Sequence, residues 1–225
     1  MLSVIIPVYN EVKNIDLLIE RVLAVNILKE IIIVDDGSTD GTQAQLEKYK
    51  SRENFKVIFH HTNQGKGAAI RTGILKISGT VTIIQDADLE YNPEEYLLIV
   101  PPVLNGETKV MYGSRFLKTN NVHSYWYFYA GGQVVTWFAN VLFGQNLTDE
   151  PTCYKVFDSE LLKSIPLKCN GFEFCPEITA KVAKLGYKIP EMPISYSPRT
   201  LAEGKKINWK DGVIAIWTLI KYRFV

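Results

Sequence analysis

The chain has 225 residues, with 25 Lys and Arg against 24 Asp and Glu for a formal net charge of +1. The length suits one α/β domain with a sizeable core and is short for two, and 47% hydrophobic with 22% charged residues excludes a disordered or fibrous chain. The near-neutral balance argues against nucleic acid as a partner, and three cysteines without a Cys-x-x-Cys pair argue for buried thiols in a reducing compartment rather than disulfides or zinc.

Leu2 to Tyr9 is a nearly continuous apolar run, which predicts a strand covered on both faces. Asn10 is placed to cap a helix carrying Ile15, Leu18, Ile19 and Val22 at helical spacing. Ile31 to Val34 predicts a second buried strand, ending at Asp35-Asp36-Gly37 and followed by a helix over Thr42–Lys50. Phe55 to His60 predicts a third strand, and Gly65-Lys66-Gly67 opens a helix with Ile70, Ile74 and Ile77 on one face. A run of β-formers from Thr80 to Ile84 predicts the fourth strand, and Asn92-Pro93-Glu94-Glu95 starts a capped helix. The second half is less regular. Lys109 to Gly113 and Thr152 to Phe157 read as strands, Tyr125 to Phe143 is rich in aromatics, and Phe174 to Leu185 reads as a helix. Tyr187 to Ser195 is extended, Pro198 to Lys206 is a loop, and Trp209 to Phe224 closes the chain as a helix.

Alternating strands and helices predict an α/β fold: a doubly wound, mostly parallel sheet, with an irregular carboxyl-terminal half. Ligands bind such sheets beyond the carboxyl ends of the strands. The polar signals fall on that edge: Tyr9-Asn10-Glu11, Asp35-Asp36, Asn63 to Gly67, and Asp86-Ala87-Asp88. Because strand side chains alternate, Asp86 and Asp88 can point the same way and offer oxygens to a hard divalent cation, Mg²⁺ or Mn²⁺. Nothing fits a Walker loop, a dinucleotide fingerprint or a Gly-x-Ser-x-Gly elbow.

The stretches Ser3 to Glu11, Val34 to Asp40, Asn63 to Gly67, Gln85 to Asp88, Gly113 to Phe116, Leu147 to Asp149, Gly171 to Phe174, and Pro198-Arg199 through Gly204-Lys205-Lys206 occur in this order. Together they resemble the family-2 glycosyltransferases of the GT-A fold, closest to the polyprenol-phosphate group that contains the dolichyl-phosphate mannose and glucose synthases. The resemblance implies a single GT-A domain over residues 1–225, with a nucleotide-sugar half (1–115) and an acceptor half (116–225). It implies metal-dependent, inverting transfer of a hexose to a polyprenyl or dolichyl phosphate. GDP-mannose is the favoured donor, with UDP-glucose close behind. A non-lipid acceptor and a non-catalytic nucleotide-sugar-binding subunit are the alternatives.

By the same resemblance Pro7, Tyr9 and Glu11 line the base and ribose pocket, Asp36 contacts the base, and Lys66 lies nearby. Asp86 and Asp88 hold the metal, with Glu90 a possible third ligand. Arg115 and Asp149 face the sugar and the acceptor phosphate, and Arg199 with Lys205 or Lys206 folds over the diphosphate. Asp88, Arg115 and Asp149 are the expected catalytic residues. The chemistry fits these types. Charge develops on the leaving diphosphate and is met by a cation and by Arg or Lys. The acceptor phosphate, whose second pKa is roughly 6, is largely ionised already and needs no strong base. Asp149 is then better read as an orienting group than as a proton acceptor.

A lipid acceptor requires a route to the bilayer. No run reaches the ~20 apolar residues of a spanning helix, and no signal peptide precedes Leu2. The expected place is the cytoplasm, peripheral on the cytosolic membrane face. Arg199 to Arg223 holds six basic residues against two acidic ones, interleaved with Trp209, Trp217 and Tyr222, which suits an interfacial helix on anionic lipid and equally a terminal helix packed on the core. The aromatic stretch near Trp126 can add a second contact, or a separate membrane subunit can serve as anchor.

Overall fold

The computed structural model describes residues 1–121, 126–199 and 208–225. Its first half is a regular β/α succession: β1 (Leu2–Val8), α1 (Ile15–Ala24), β2 (Lys29–Asp35), α2 (Thr42–Leu46), β3 (Phe55–Phe59), α3 (Lys66–Ile74) and β4 (Val81–Ile84). The four strands are parallel where they pair, and β1 lies between β2 and β4, with Val4 opposite both Ile31 and Ile83. Every residue of β1 is buried, which is why its sequence is apolar without alternation. Each such Ile or Val contributes about 1.5–3 kcal/mol of burial.

After the short helices α4 (Tyr96–Ile99) and α5 (Pro101–Leu104) come β5 (Val110–Ser114), α6 (Trp126–Phe143), β6 (Lys155–Asp158), α7 (Ser159–Ser164), α8 (Phe174–Lys184), β7 (Glu191–Pro193) and α9 (Trp209–Phe224). The sheet order is β3-β2-β1-β4-β6-β5-β7. β6 runs antiparallel to both its neighbours, β4 and β5, and the other pairs are parallel. The sheet is therefore mostly parallel, as the sequence pattern predicts.

Two local expectations are corrected and a third is narrowed. Asn10 does not cap α1: at φ 51 it occupies the left-handed region that Asn tolerates, and its Oδ1 accepts the N–H of Thr39, tying two loops together. The strand expected from Thr152 starts at Lys155, because the backbone N–H of Cys153 is drawn off to the Tyr91 hydroxyl. Of the extended run Tyr187 to Ser195, only Glu191–Pro193 pairs in the sheet. Tyr125, at the start of the aromatic stretch, lies outside the described residues.

Each edge of the sheet is fastened differently. At the amino edge Glu30 is buried and accepts from Ser3, Lys56 and the N–H groups of Ser78 and Gly79. Burial opposes its charge, yet these bonds win and hold its carboxyl at about 2. At the carboxyl edge Gln85 is fully buried, and its Oε1 accepts the hydroxyls of Tyr96 (2.6 Å) and Tyr154 (2.7 Å). This pins the end of β4, where the aspartates begin. A second, smaller core of Val135, Ala139, Ala180, Leu219 and Tyr222 joins α6, α8 and α9. The Tyr222 hydroxyl donates to Glu177 at 2.9 Å and locks α9 onto α8.

Candidate active site

One cavity of about 1160 Å³ opens along the carboxyl edge of the sheet. Pro7, Tyr9, Glu11, Asp36, Lys66, Asp86, Asp88, Glu90, Arg115 and Arg199 all line it. Asp149 stands behind Arg115 rather than in the wall, and Lys205 and Lys206 lie outside the described residues.

At the end of β2, Asp36 is engaged on both oxygens. Oδ1 accepts the N–H of Gln64 (3.0 Å) and lies 2.7 Å from His60 Nδ1, while Oδ2 accepts the N–H of Gly65 (2.7 Å). Asp36 thus builds the loop that carries Lys66, besides facing the cavity. The glycines of that loop have a packing reason. Gly65 sits at φ 101, and a Cβ there would meet the Asn170 carbonyl oxygen at 2.3 Å. The first N–H groups of α3 donate to the carbonyls of Gly171 and Asn170. This helix start receives a protein segment, not a phosphate.

Asp86 and Asp88 at the end of β4, with Glu11 from the loop after β1, face two cations. Lys66 Nζ lies 2.5 Å from Asp86, and Arg199 reaches Glu11 (3.1 Å) and Asp88 (3.3 Å). Burial opposes the charge of Lys66, but Asp86 overrides it and holds the ammonium ionised. For Asp88, burial, then the charges of Asp86 and Glu90, push the carboxyl up to about 7 despite Arg199. Leu89, between Asp88 and Glu90, has φ 63, a left-handed conformation that costs a non-glycine residue about 1 kcal/mol or more. The turn persists because Asp88 Oδ1 accepts the N–H of Glu90 (3.1 Å), and it aims both carboxylates away from a regular strand path.

A crowded pair of oxygen donors with a raised carboxyl suits a hard divalent cation, which would relieve the repulsion. Asp86 and Asp88 fit that role. Glu90 is turned elsewhere: its Oε1 accepts the N–H of Arg199 and its Oε2 the Tyr196 hydroxyl, both at 2.8 Å. Among the described residues, no three His, Cys, Asp or Glu side chains are gathered as a ready metal cage.

At the end of β5, Arg115 is clamped by the fully buried Asp149. Nε donates to Oδ2 and Nη2 to Oδ1, each at 2.7 Å, and the Arg115 N–H adds a third bond. Glu191 fixes Asp149 in turn by accepting its N–H and that of Thr148. Burial opposes the guanidinium charge, and Asp149 outweighs it. The result is a fixed cation presented to the cavity, with Tyr196 stacked against it at 5.0 Å. Sequence reasoning missed Tyr196 and Glu191. The only signal for Glu191 was its place in the extended run Tyr187 to Ser195, and Tyr196 falls between that run and the loop from Pro198.

Most of the remaining wall is apolar, with Glu150, Asn208 and Asp211 among the polar exceptions. It includes Tyr127, Phe128 and Val134 of α6 and Trp209, Val213 and Ile216 of α9. No charged residue occurs in α6.

The sheet order, with paired aspartates at the end of a central strand, defines the GT-A class of glycosyltransferase fold. The family model described as glycosyl transferase family 2 matches residues 3–165, and the chain belongs to that family. The dolichol-phosphate mannosyltransferase of Pyrococcus furiosus is 29% identical over 209 residues, covering 90% of this chain and 58% of that protein. The polyprenol monophosphomannose synthase of Mycolicibacterium smegmatis is 29% identical over 211 residues, with 90% and 79% covered. The chain thus spans little more than half the length of the first relative. In fold it is similar to glucosyl-3-phosphoglycerate synthase from Mycobacterium tuberculosis, crystallised with Mn²⁺, UDP and phosphoglyceric acid, at a TM-score of 0.75 and 20% identity over 100% of this chain and 79% of the other. Mannosyl-3-phosphoglycerate synthase from Rubrobacter xylanophilus gives 0.73 at 18% identity, over 99% and 72%.

Proposed function

We propose that this chain transfers mannose from GDP-mannose to a polyprenyl phosphate, dolichyl phosphate included, with inversion and with Mg²⁺ or Mn²⁺ as cofactor. The observation that carries the reading is one cavity with two kinds of wall. Lys66, Asp86, Asp88, Arg115 and Arg199 line one part, and the uncharged α6 with the apolar face of α9 lines another. A nucleoside diphosphate and a lipid-borne phosphate need those two environments side by side. Mannose is preferred over glucose because the two relatives above are named for mannose transfer to polyprenol-type lipids.

Pro7, Tyr9 and Glu11 hold the nucleoside, against the loop that Asp36 braces. Asp86 and Asp88 would hold the divalent ion, which when bound neutralises charge on the leaving diphosphate. Lys66 and Arg199, with Lys205 and Lys206, add fixed positive charge there. Arg115 receives the acceptor phosphate. Asp149 keeps Arg115 in place, with both carboxylate oxygens engaged by that guanidinium. Ionised acceptor oxygen attacks from the face opposite the diphosphate, so no general base is required. The chain works peripherally on the cytosolic face of a membrane, through α6 and α9 or with an anchoring subunit.

The test is direct. Purified protein is incubated with Mn²⁺, a short polyprenyl phosphate in detergent, and radiolabelled GDP-mannose or UDP-glucose. Label should enter the lipid phase from GDP-mannose and vanish with EDTA or with Asp88→Ala. Label from UDP-glucose alone would overturn the donor assignment, and none from either donor would overturn the acceptor class.

A further inference from the structure

Residues 194–199 form a strap beside the cavity, and its Tyr196 and Arg199 line the wall. The Tyr196 hydroxyl donates to Glu90 Oε2 at 2.8 Å, and its ring lies 5.0 Å from the Arg115 guanidinium. The other face of the site meets the same side chain, since Tyr91 packs on the Tyr196 ring at 5.6 Å between centroids. The backbone is fixed as firmly. The N–H of Tyr196 donates to Asn121 Oδ1 (3.0 Å), and Asn121 Nδ2 donates to the carbonyls of Arg115 (2.6 Å) and Ile194 (2.7 Å). Ser197 and Arg199 donate their N–H groups to the Glu90 carbonyl and to Glu90 Oε1.

We propose that Tyr196 is a positioning residue that couples the two ends of the cavity, orienting Arg115 through its ring and Glu90 through its hydroxyl. The inference rests on the transferase reading above and deepens it. A residue kept only for packing needs the ring. It gains nothing from a hydroxyl placed on a carboxylate two positions beyond Asp88. A residue kept only to fasten the strap needs the hydroxyl, and nothing requires its ring to face Arg115. Both features occur in one side chain, and the loop of contacts Arg115–Asn121–Tyr196–Arg115 closes on itself. A shift of Glu90 toward or away from a cation at Asp86 and Asp88 therefore carries the Tyr196 ring with it, and so changes how Arg115 is presented. Hydrogen bonds to a metal's own ligands commonly set metal affinity by 10- to 100-fold, and the Tyr196 bond, made to Glu90 one step further out, belongs at the lower end of that range. A ring under a guanidinium contributes on the order of a few-fold in binding.

Two substitutions separate the functions. Tyr196→Phe removes the hydroxyl and keeps the ring, while Tyr196→Leu removes both. Mn²⁺ binding is measured by calorimetry on the purified protein in the presence of GDP, and the KM for a short polyprenyl phosphate is measured separately. Tyr196→Phe should weaken Mn²⁺ about tenfold and leave the acceptor KM within about twofold, well inside what one lost ring contact would cost. Tyr196→Leu should show the same Mn²⁺ loss and raise the acceptor KM about fivefold. A Tyr196→Phe protein that binds Mn²⁺ like the wild type would overturn the coupling, as would a Tyr196→Phe protein that loses both properties equally. If Tyr196→Leu does not fold, the Phe variant decides alone. Wild-type protein that neither binds Mn²⁺ with GDP nor transfers sugar would sink the underlying reading. A competent wild type beside an identical Tyr196→Phe protein would sink only the coupling.

Discussion

Asp88 carries the sharpest conflict between stability and function in the site. Its carboxyl is raised to about 7 by burial and by Asp86 and Glu90, against an ordinary value of 3.8. A folded pKa above the unfolded one means that stability is complete below the unfolded value and is lost as pH rises from about 4 through 7. Asp88→Asn removes that loss. In EDTA the variant should melt higher than wild type at pH 8, by on the order of 1 kcal/mol, and the gap should close at pH 4. Thermal scans at the two pH values check it, and a gap independent of pH would refute the assignment. Added Mn²⁺ should raise the melting temperature of the wild type only. The aspartates themselves were legible in the sequence, because two-residue periodicity places them on one side of a strand end. The environment that sets their protonation was not, since Lys66 and Arg199 reach them from distant parts of the chain. Asp36 shows the same limit: its strand-end position was evident, but its bonds to Gln64 and Gly65 depend on how a loop folds back.

Regular elements were the most readable part of the molecule. Continuous apolar runs marked β1 and β2, and helical spacing of Ile15, Leu18, Ile19 and Val22 marked α1, because burial on two faces or one stripe leaves those periods. The start of α3 was readable as a glycine-rich turn, though not in its purpose. Gly65 and Gly67 let the segment around Asn170 and Gly171 lie against the helix start. Gly65→Ala should therefore destabilise by about 2 kcal/mol or more, through a left-handed φ and a clash with backbone. It should also weaken donor binding, because Lys66 follows directly. Urea unfolding measures the first effect. A loss below about 0.5 kcal/mol, the range of an ordinary surface change, would show that the segment moves aside freely. The reversed direction of β6 left no trace in local sequence, since a short buried strand reads alike in either direction.

At the scale of the whole molecule, all four tryptophans lie on α6 and α9 and are largely exposed: Trp126 79%, Trp137 58%, Trp209 75% and Trp217 63%. Large aromatics so exposed are unusual on a soluble surface and common where a protein meets the headgroup layer of a bilayer. No helix among the described residues is long and apolar enough to cross a membrane. The peripheral contact proposed above would use this exposed aromatic surface. Replacing Trp126, Trp137, Trp209 and Trp217 by Ser should abolish flotation with vesicles containing anionic lipid, while transfer to a short acceptor in detergent persists. Undiminished flotation would assign membrane contact to another surface. The aromatic composition of both helices was plain in the sequence. That they pack together into one face was not, because the core joining them also needs Ala180 of α8.

The antiparallel strand β6 has a consequence for how such a molecule can diversify. Because it enters the sheet where β4 and β5 leave it, the excursion from Arg115 to Tyr154 starts and finishes at the same rim. An excursion with both feet on one rim can be lengthened, shortened or exchanged without changing strand order. The parallel strands β1, β2 and β4 stay as they are. One inverted strand therefore makes residues 115–154 a cassette, which under the proposed function is the acceptor side and can be rewritten without disturbing the rest of the sheet.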